Sequence, residues 1–299
     1  MTVPLEFIGK LSHPGMTRML LVVLDGLGGL PGGPDHVTEL QQAKTPNLDR
    51  LAPGAVLGQI DPVSPGITPG SGPGHLGLFG YDPIRYMIGR GVLSAAGLGL
   101  EMQAGDVAAR INFCTVDGDG RVTDRRAGRI PTETCVRLCE KLSREVKLDG
   151  VTAMVKPERE HRAAVLFRGE GLHPGITDTD PQREGLEPLE ARPTVVQAER
   201  TAIVVRKFID QVRRILAADA PANMVLLRGF DTPPQLPQYK DVFRVQAAAV
   251  AVYPMYRGIA KLVGMTVIGF DGETVVFLHT GGAVGLFGYT GVFEQAMVH

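Results

Sequence analysis

The sequence predicts an α/β protein with a mostly parallel sheet, helices on both faces, and an inserted α+β domain. Residues 19–24 form a continuous apolar run that ends at Asp25-Gly26, which is typical of a strand buried on both faces of a parallel sheet. Strand, loop and helix patterns alternate at both ends of the chain, whereas the middle carries hairpin patterns. An α/β domain interrupted by an α+β insertion explains this order.

The first and last thirds of the chain supply the α/β patterns. Thr45 precedes Pro46 as a helix N-cap with proline at the first helical position, and residues 55–60 and 247–252 have the composition of short strands. Residues 62–74 form a loop dense in glycine and proline, and residues 75–80 are helical or tightly turned. A further helix is predicted at 256–263 and a last strand at 275–278.

The middle third predicts the inserted α+β domain. A turn at 117–120 separates strand patterns at 107–116 and 121–123, which indicates a hairpin. Strands are also expected at 151–155, 163–167 and 224–227, and helices at 131–146 and 197–217, the second being the clearest amphipathic pattern in the chain. Residues 169–196 are polar and rich in proline and glycine, which favours a long loop.

Composition excludes several classes of function. The 299 residues carry 31 Lys and Arg against 32 Asp and Glu, a net charge of -1, so nothing indicates a nucleic acid or an anionic membrane as partner. The apolar run at 19–24 is far shorter than the roughly 20 residues of a membrane span, and the N-terminus lacks a signal-peptide pattern. Three cysteines are too few to staple a domain of this size, which indicates reduced thiols in a cytoplasmic protein.

Asp25 and Ser71 are the first candidates for chemistry. Asp25 follows the first predicted strand, at the sheet edge where ligands and metals collect in open α/β folds. Ser71 lies between Gly70 and Gly72, where its hydroxyl is accessible, and a serine needs a base or a metal ion to become a nucleophile. The plainer interpretation is a turn aspartate and a solvated loop serine, and spacing alone does not exclude it.

A second group of candidates is cationic. Three arginines, Arg125, Arg126 and Arg129, follow Asp124 within six residues, and Arg162 and Arg228 lie farther along. Because a guanidinium binds phosphate or carboxylate as a planar fork, convergent arginines suit a small anionic substrate; solvated surface charge is the alternative. The pair Asp178 and Asp180 either binds a cation or caps a turn.

Short motifs in a fixed order carry a resemblance to a known family. They include Leu24-Asp25-Gly26, Pro69-Gly70-Ser71, Gly80-Tyr81-Asp82-Pro83, Asp124-Arg125-Arg126-Ala127-Gly128-Arg129, Thr177-Asp178-Thr179-Asp180-Pro181 and Tyr253-Pro254-Met255-Tyr256-Arg257-Gly258. Over roughly residues 17–265 the chain resembles the archaeal-type, 2,3-bisphosphoglycerate-independent phosphoglycerate mutases of the alkaline phosphatase superfamily.

The resemblance implies an alkaline-phosphatase-like domain in two parts, 1–86 and 238–299, around an inserted phosphotransferase domain at 87–237. It implies a metal-dependent isomerase that interconverts 2- and 3-phosphoglycerate in glycolysis and gluconeogenesis. Ser71 matches the serine that becomes phosphoserine, and Asp25 matches a ligand of two divalent ions, usually manganese, magnesium or zinc, with Ser71 as a further ligand. The resemblance assigns Arg126, Arg129, Arg162 and Arg228 to the substrate phosphate and carboxylate, and Asp124 to the glycerate hydroxyls.

The C-terminal region departs from the family pattern. After Met265 the sequence diverges from the family pattern. In the family, carboxylates and histidines of this region hold most of the metal, and His279 is the one residue here that corresponds to any of them. A truncated or divergent C-terminus is therefore expected, with an incomplete ligand set. Two alternatives stay open: a catalytically impaired homologue that binds phosphorylated acids, and another phosphoryl-transfer enzyme of the same superfamily.

Overall fold

The computed structural model describes residues 3–24, 29–32 and 35–269. The chain divides into two compact units, of which the first comprises Met1–His13 and Pro62–Val267 and the second comprises Pro14–Asp61 and Ile268–His299. The first unit contains all the strands listed below and the site described in the next section. The division into 1–86, 87–237 and 238–299 stays a prediction.

The described residues form short helices in the first part of the chain and longer elements after residue 90. The α-helices are α1 (Leu5–Leu11), α2 (Glu39–Gln42), α3 (Pro46–Leu51), α4 (Ser71–Leu78), α5 (Arg90–Gly97), α6 (Thr132–Glu145), α7 (Glu199–Ile215), α8 (Tyr239–Phe243) and α9 (Pro254–Leu262). The strands are β1 (Val107–Val116), β2 (Val122–Asp124), β3 (Val151–Arg159), β4 (Arg162–Gly169), β5 (Met224–Asp231), β6 (Ala248–Ala249) and β7 (Thr266–Val267). Three 3-10 turns cover Ala52–Gly54, Ala127–Arg129 and Val196–Ala198.

Strand β1 is the centre of an antiparallel sheet. It pairs with β4 on one side and with β5 on the other, β2 pairs with its last two residues, and β3 lies beyond β4. The described parallel pairing is the short one between β6 and β7. The fold is thus mixed α/β with a mostly antiparallel sheet, and the mostly parallel sheet expected from the sequence is not confirmed.

The two faces of the antiparallel sheet bury different helices. Because side chains alternate along a strand, Ala109, Ile111 and Phe113 of β1 face the core formed with α6 and α7. Ala108 faces the opposite way and packs with Val92 and other side chains of α5. Arg110 and Asn112 alternate with the first set and therefore share the α5 face of the sheet with Ala108.

Helix α5 packs very closely against both neighbours because glycines stand at the contacts. A Cβ atom added at Gly91 would overlap with the carbonyl oxygen of Ala108 in β1, and one added at Gly97 would overlap with the carbonyl oxygen of Pro254 in α9. Side chains larger than hydrogen at these positions would push the helix away from the sheet or from α9.

The elements predicted for the middle of the chain agree with the structure, and several elements predicted outside it do not. The hairpin of β1 and β2, the strands β3, β4 and β5, and the helices α6 and α7 are confirmed. Residues 19–24 and 55–60 are not strands, and 247–252 contains only the two-residue strand β6. The predicted strand at 275–278 lies outside the described residues.

The apolar run at 19–24 is the clearest correction. Met19, Leu20 and Leu21 are 80%, 70% and 61% exposed. A buried parallel strand needs neighbouring strands on both sides for its backbone groups, and none pairs with this run among the residues that the structure describes. In that same part of the chain, no helix is long and apolar enough to cross a membrane.

Candidate functional site

A strongly cationic cavity of about 240 Å³ lies on the α5 face of the antiparallel sheet. The lining side chains are Arg90, Arg110, Asn112, Arg125, Arg126, His161, Arg162 and Arg228. Among the described residues, no carboxylate lines this space. We call it the arginine cavity.

Strand register brings four of the lining residues together at the cavity floor. Arg110 of β1 lies opposite Arg228 of β5, and Asn112, two residues on, lies opposite Arg162 of β4. Directly opposite residues in an antiparallel pair share one face, with Cβ atoms about 5 Å apart. The floor therefore presents three guanidinium groups and one amide.

Arg90 reaches the arginine cavity from the first residue of α5. The backbone N–H of Gly89 donates to Asp231 Oδ2 over 2.6 Å, which attaches the start of the helix to the end of β5. Gly229, with φ +63°, leaves only 3.0 Å between its hypothetical Cβ and Arg90 Cβ. These contacts locate the Arg90 backbone against the sheet.

The loop after β2 carries Arg125 and Arg126, and Asp124 shapes it. The two carboxylate oxygens of Asp124 accept hydrogen bonds from the backbone N–H groups of Arg126 (2.7 Å) and Gly128 (2.6 Å). Positive φ angles at Ala127, Gly128 and Arg129 turn the chain sharply. Asp124 thus holds a turn from which the arginines project.

Asp180 binds two of the cavity arginines through hydrogen-bonded ion pairs. Its oxygens accept from Arg125 Nε (3.0 Å) and Nη2 (2.7 Å), and Arg228 Nη1 lies 3.3 Å from Oδ2. The side chain is fully buried. Burial alone would raise the pKa of this carboxyl, but the hydrogen bonds from Arg125 and the Gln182 N–H hold the pKa below its ordinary value, so Asp180 is ionised.

Asp178 and Thr179 fasten the same segment to β5. Thr179 exchanges two hydrogen bonds with Leu227, N–H to carbonyl at 2.9 Å and N–H to Oγ1 at 2.8 Å. Asp178 accepts from the N–H of Gly229 over 2.8 Å, and one of its oxygens lies 3.8 Å from Arg228 Nε. Of the two interpretations open for Asp178 and Asp180, the structure supports turn capping for Asp180, which accepts from the Gln182 N–H over 2.8 Å. Both carboxylates also pair with Arg228.

The positive charge of the cavity arginines exceeds the negative charge of Asp178 and Asp180. Arg125 and Arg228 are paired with Asp178 and Asp180, whereas Arg90, Arg110, Arg126 and Arg162 form no ion pair within 4.0 Å in the described part of the chain. Burial lowers the pKa of Arg110, partly offset by Glu158, yet an arginine remains protonated in proteins. The site therefore favours a ligand with several negative charges.

His161 enters the cavity as a neutral imidazole. It is 2% exposed, and burial together with the charge of Arg162 lowers its pKa to about 4. Three buried polar atoms of the lining have no hydrogen-bond partner in the described residues: Arg110 Nε, Asn112 Oδ1 and His161 Nδ1. Buried polar atoms are normally paired, so these three atoms are available to a bound ligand or to water.

Ser71 begins α4, a helix of poor intrinsic propensity because Gly72, Pro73, Gly74 and Gly77 stand within it. Close packing stabilises it instead: a Cβ at Gly77 would overlap with the Pro62 carbonyl. His75 Nδ1 lies 2.8 Å from the Ser71 carbonyl oxygen, and its ring stacks on Tyr256 at 4.3 Å. The Ser71 side chain is exposed at the helix start and does not line the arginine cavity.

The structure brings three of the predicted substrate residues together and leaves two outside. Arg126, Arg162 and Arg228 line the arginine cavity. Arg129 lies outside it, 4.0 Å from Glu160, and Asp124 serves the turn described above. Asp25 lies outside the described residues. The roles of all these residues toward a substrate stay predictions.

Sequence reasoning missed five lining residues, namely Arg90, Arg110, Asn112, Arg125 and His161 as binding groups. One signal was available in β1, where Arg110 and Asn112 stand at i and i+2 in an otherwise apolar strand. Such a pair lies on one face of the sheet, and a buried strand rarely carries an arginine without a partner.

A metal site is not complete in the described part of the chain. Within residues 3–24, 29–32 and 35–269, no three His, Cys, Asp or Glu side chains lie close enough together to hold an ion. Ser71 is therefore the one expected ligand that the structure places, and the two divalent ions remain an expectation of the resemblance.

Comparisons with known proteins agree on one family. A model of the 2,3-bisphosphoglycerate-independent phosphoglycerate mutase family matches residues 52–223. A probable mutase of this kind from Thermus thermophilus is 49% identical over 265 residues, which are 88% of this chain and 65% of the relative. One from Aquifex aeolicus is 51% identical over 279 residues, 91% of this chain and 68% of the relative. The chain thus spans about two thirds of the length of these relatives.

Solved structures give the same answer for the fold. A cofactor-independent phosphoglycerate mutase from Thermoplasma acidophilum superposes with a TM-score of 0.61 at 36% identity, covering 84% of this chain and 69% of that one. A Pyrococcus horikoshii protein superposes with a TM-score of 0.66 at 26% identity, covering 83% and 60% of the two chains.

Proposed function

This chain belongs to the 2,3-bisphosphoglycerate-independent phosphoglycerate mutase family, and from that premise we propose that it interconverts 2-phosphoglycerate and 3-phosphoglycerate. In this proposal the arginine cavity holds the glycerate acid and Ser71 takes the phosphoryl group. The relatives quoted above are named as mutases, which does not favour a different phosphoryl-transfer enzyme or a binding protein without turnover.

The arginine cavity is the observation that carries the proposal. Phosphoglycerate combines a phosphate, a carboxylate and a hydroxyl on three carbons, so it needs several cationic forks close together. Six arginines line the cavity and two carboxylates stand behind them, which leaves a clear excess of positive charge. Bidentate contacts from guanidinium groups suit both anionic groups of this substrate.

During catalysis the arginine cavity would keep glycerate bound. We propose that Ser71 Oγ forms a bond to phosphorus while the bond from phosphorus to the substrate oxygen breaks, and that the serine proton ends on that oxygen. The held glycerate reorients, and its other hydroxyl takes the phosphoryl group back in the reverse of this step. Phosphoryl transfer depends on positioning and charge neutralisation, which an arginine cavity provides.

Several finer features belong to the same proposal and rest on family membership. The two divalent ions, manganese, magnesium or zinc, would neutralise charge on the phosphoryl group, with Asp25 and Ser71 among their ligands. The phosphatase-like part would have the mostly parallel, alkaline-phosphatase-like sheet around the inserted domain at 87–237. The reaction would serve glycolysis and gluconeogenesis in the cytoplasm, where Cys114, Cys135 and Cys139, free and buried, stay reduced.

The test follows the reaction and the phosphoenzyme together. The full chain is incubated with Mn²⁺ and 3-phosphoglycerate, 31P NMR detects 2-phosphoglycerate, and intact-mass spectrometry detects phosphate on the protein. We expect product and a phosphorylated serine in the wild type, and neither in Ser71→Ala. Ser64→Ala, in the same glycine- and proline-rich loop, is the matched control and should behave as wild type.

Two results would contradict the proposal in different ways. Covalent phosphate on Ser71→Ala would remove the nucleophile assignment. Binding of 3-phosphoglycerate without any 2-phosphoglycerate from the metal-loaded wild type would favour the non-catalytic alternative.

A further inference from the structure

The floor of the arginine cavity contains an acceptor that no anionic group of a ligand can satisfy. Asn112 Oδ1 is buried and accepts no hydrogen bond from the described residues. A carboxylate has no proton to give at neutral pH, and a phosphate monoester, whose second pKa is about 6, is mostly without one, so either group would repel this amide oxygen. The partner of Asn112 Oδ1 must therefore be a hydrogen-bond donor.

His161 lies next to Asn112 in the paired backbone, lines the same cavity and presents a second atom without a partner among the described residues. Asn112 is the cross-strand partner of Arg162, the residue after His161, and the N–H of Phe113 donates to the His161 carbonyl over 2.8 Å. The turn that carries His161 is held by a hydrogen bond of 3.1 Å from the Glu160 N–H to Thr132 Oγ1. His161 Nδ1 is buried, has no hydrogen-bond partner within the described ranges, and lies 3.9 Å from Glu160 Oε2.

The charge state of His161 suits a neutral ligand group. With its pKa lowered to about 4 by burial and by Arg162, the ring is uncharged at neutral pH. A neutral imidazole has one donor and one acceptor nitrogen. The neutral ring therefore adds little to anion binding beside six guanidinium groups. It can instead orient one group of the ligand through a single directional hydrogen bond.

We infer that Asn112 and His161 form the subsite for the hydroxyl of a phosphorylated hydroxy acid. The hydroxyl donates to Asn112 Oδ1 and accepts from His161 Nδ1, so that one O–H group satisfies both buried atoms, while the arginines take the phosphate and the carboxylate. This assignment rests on the proposed function, because it names the substrate group that the cavity recognises besides charge.

The assignment takes the place of Asp124 as the expected contact of the glycerate hydroxyls. Both Asp124 oxygens already accept backbone N–H groups at 2.7 and 2.6 Å, and Asp124 does not line the cavity. Asn112 and His161, by contrast, line it and have unused hydrogen-bonding atoms. The pair makes the cavity selective for hydroxy acids over acids that match them only in charge.

The experiment compares two ligands that differ by the hydroxyl alone. Isothermal titration calorimetry measures binding of 3-phosphoglycerate and of 3-phosphooxypropanoate, its 2-deoxy analogue, to the full chain without added metal, so that no turnover occurs. Loss of a hydrogen bond leaves buried polar atoms unpaired, so we expect the wild type to bind 3-phosphoglycerate about tenfold to a hundredfold more tightly, which is about 1.4–2.8 kcal/mol.

Variants separate the hydroxyl contact from the charge contacts. Asn112→Leu, of similar shape, and His161→Phe should each bring the two affinities to within about threefold of each other, mainly by weakening 3-phosphoglycerate. Arg90→Ala is the matched control in the same cavity: it should weaken both ligands and leave their ratio unchanged. Thermal unfolding of each variant establishes that it is folded.

The outcomes distinguish this inference from the function on which it rests. Equal affinity of the wild type for the two ligands would overturn the hydroxyl assignment alone, and this comparison needs no variant to fold. A folded Asn112→Leu that keeps the full preference would also overturn it. Failure of the wild type to bind either ligand would overturn the proposed function of the cavity and the assignment with it.

Discussion

Arg110 lies in the cavity floor without an ion pair among the described residues, an arrangement that costs stability in the absence of a ligand. Arg110 is largely withdrawn from water, which lowers its pKa, and the positive charges of Arg162 and Arg90 lower it further. A bound anion would offset both effects. The unpaired arginines of the cavity floor are therefore its most informative residues.

Removal of a single unpaired arginine should weaken substrate binding strongly. For Arg162→Ala we expect the KM for 3-phosphoglycerate to rise about tenfold to a hundredfold, since a hydrogen bond to a charged group contributes about 1.5–3 kcal/mol. A coupled assay of the mutase reaction measures it. Arg144→Ala, whose side chain is 71% exposed on α6, should leave KM unchanged, and equal effects of the two variants would return Arg162 to solvated surface charge.

His161 should stay neutral well below the ordinary pKa of histidine. Because burial and Arg162 lower the pKa to about 4, the folded chain does not take up this proton as the pH falls from about 6.5, while the unfolded chain does. Stability is therefore lost over that range, from about 6.5 down to about 4. NMR titration of the His161 ring should find no protonation above pH 5; a midpoint near 6.5 would contradict the neutral imidazole.

The residues of the cavity were only partly accessible to sequence reasoning. Arg126 and Arg162 were found because arginines cluster locally in the sequence, next to a turn or a charged run. Arg90 and Arg110 were missed because 138 and 118 residues separate them from Arg228. The register of β1 with β5 places Arg110 opposite Arg228, and the packing of α5 on the sheet brings Arg90 to the same cavity. Pairing register is a property of the whole sheet, and local composition does not contain it.

At the scale of elements, α5 connects the arginine cavity to α9. Its first residue lines the cavity, its glycines contact β1 and α9, and Gly258 of α9 leaves no space for a Cβ next to the Leu93 carbonyl. A displacement of α5 would therefore move Arg90 as well.

A methyl group at the contact of α5 with α9 should destabilise the first unit. Gly97→Ala places a Cβ onto the Pro254 carbonyl, and we expect a loss of about 1–3 kcal/mol in the free energy of unfolding, measured in urea. Gly118→Ala is the control, since nothing lies within 4 Å of its Cβ in the turn after β1. An unchanged free energy of unfolding in Gly97→Ala would contradict this, because it would mean that α5 can move away from α9 without loss of stability.

The segment at 177–182 stabilises the first unit through the ion pairs of Asp180 with Arg125 and Arg228. Asp180→Asn removes the charge that pairs with Arg125 and Arg228, and we expect a loss of about 2–3 kcal/mol at pH 7, less than for a fully buried pair because Arg125 is 28% exposed. Urea unfolding measures it. Asp149→Asn, whose side chain is 98% exposed, should change stability little.

The pH dependence of this loss has a definite sign. The pKa of Asp180 is lowered in the folded chain, so its contribution is complete above the ordinary value of about 4 and is lost as the pH falls below it. The difference between wild type and Asp180→Asn should therefore narrow below pH 4. A difference that is independent of pH would exclude the carboxylate charge as its source.

The elements between residues 107 and 231 were predictable from the sequence because local signals specify them. The turn at 117–120 ends β1, and α7 buries Val204, Val205, Phe208 and Val212 at helical spacing. Residues 19–24 show the limit of that reasoning: an apolar run of six has the composition of a buried strand, but a strand exists only where neighbours pair with its backbone. Composition does not report whether those neighbours are present.

At the scale of the whole molecule, net charge conceals how charge is distributed. The chain carries -1 overall, yet six arginines converge on one cavity of about 240 Å³. The near-neutral sum does not reveal this local positive potential, which suits a small polyanion.

The central claim is that the arginine cavity binds the glycerate acid, and a crystal structure of the full chain grown with 3-phosphoglycerate tests it most directly. We expect the ligand on the α5 face of the sheet, with its anionic groups on Arg110, Arg162 and Arg228. A ligand bound away from β1 and β5, with the cavity containing solvent alone, would contradict the claim.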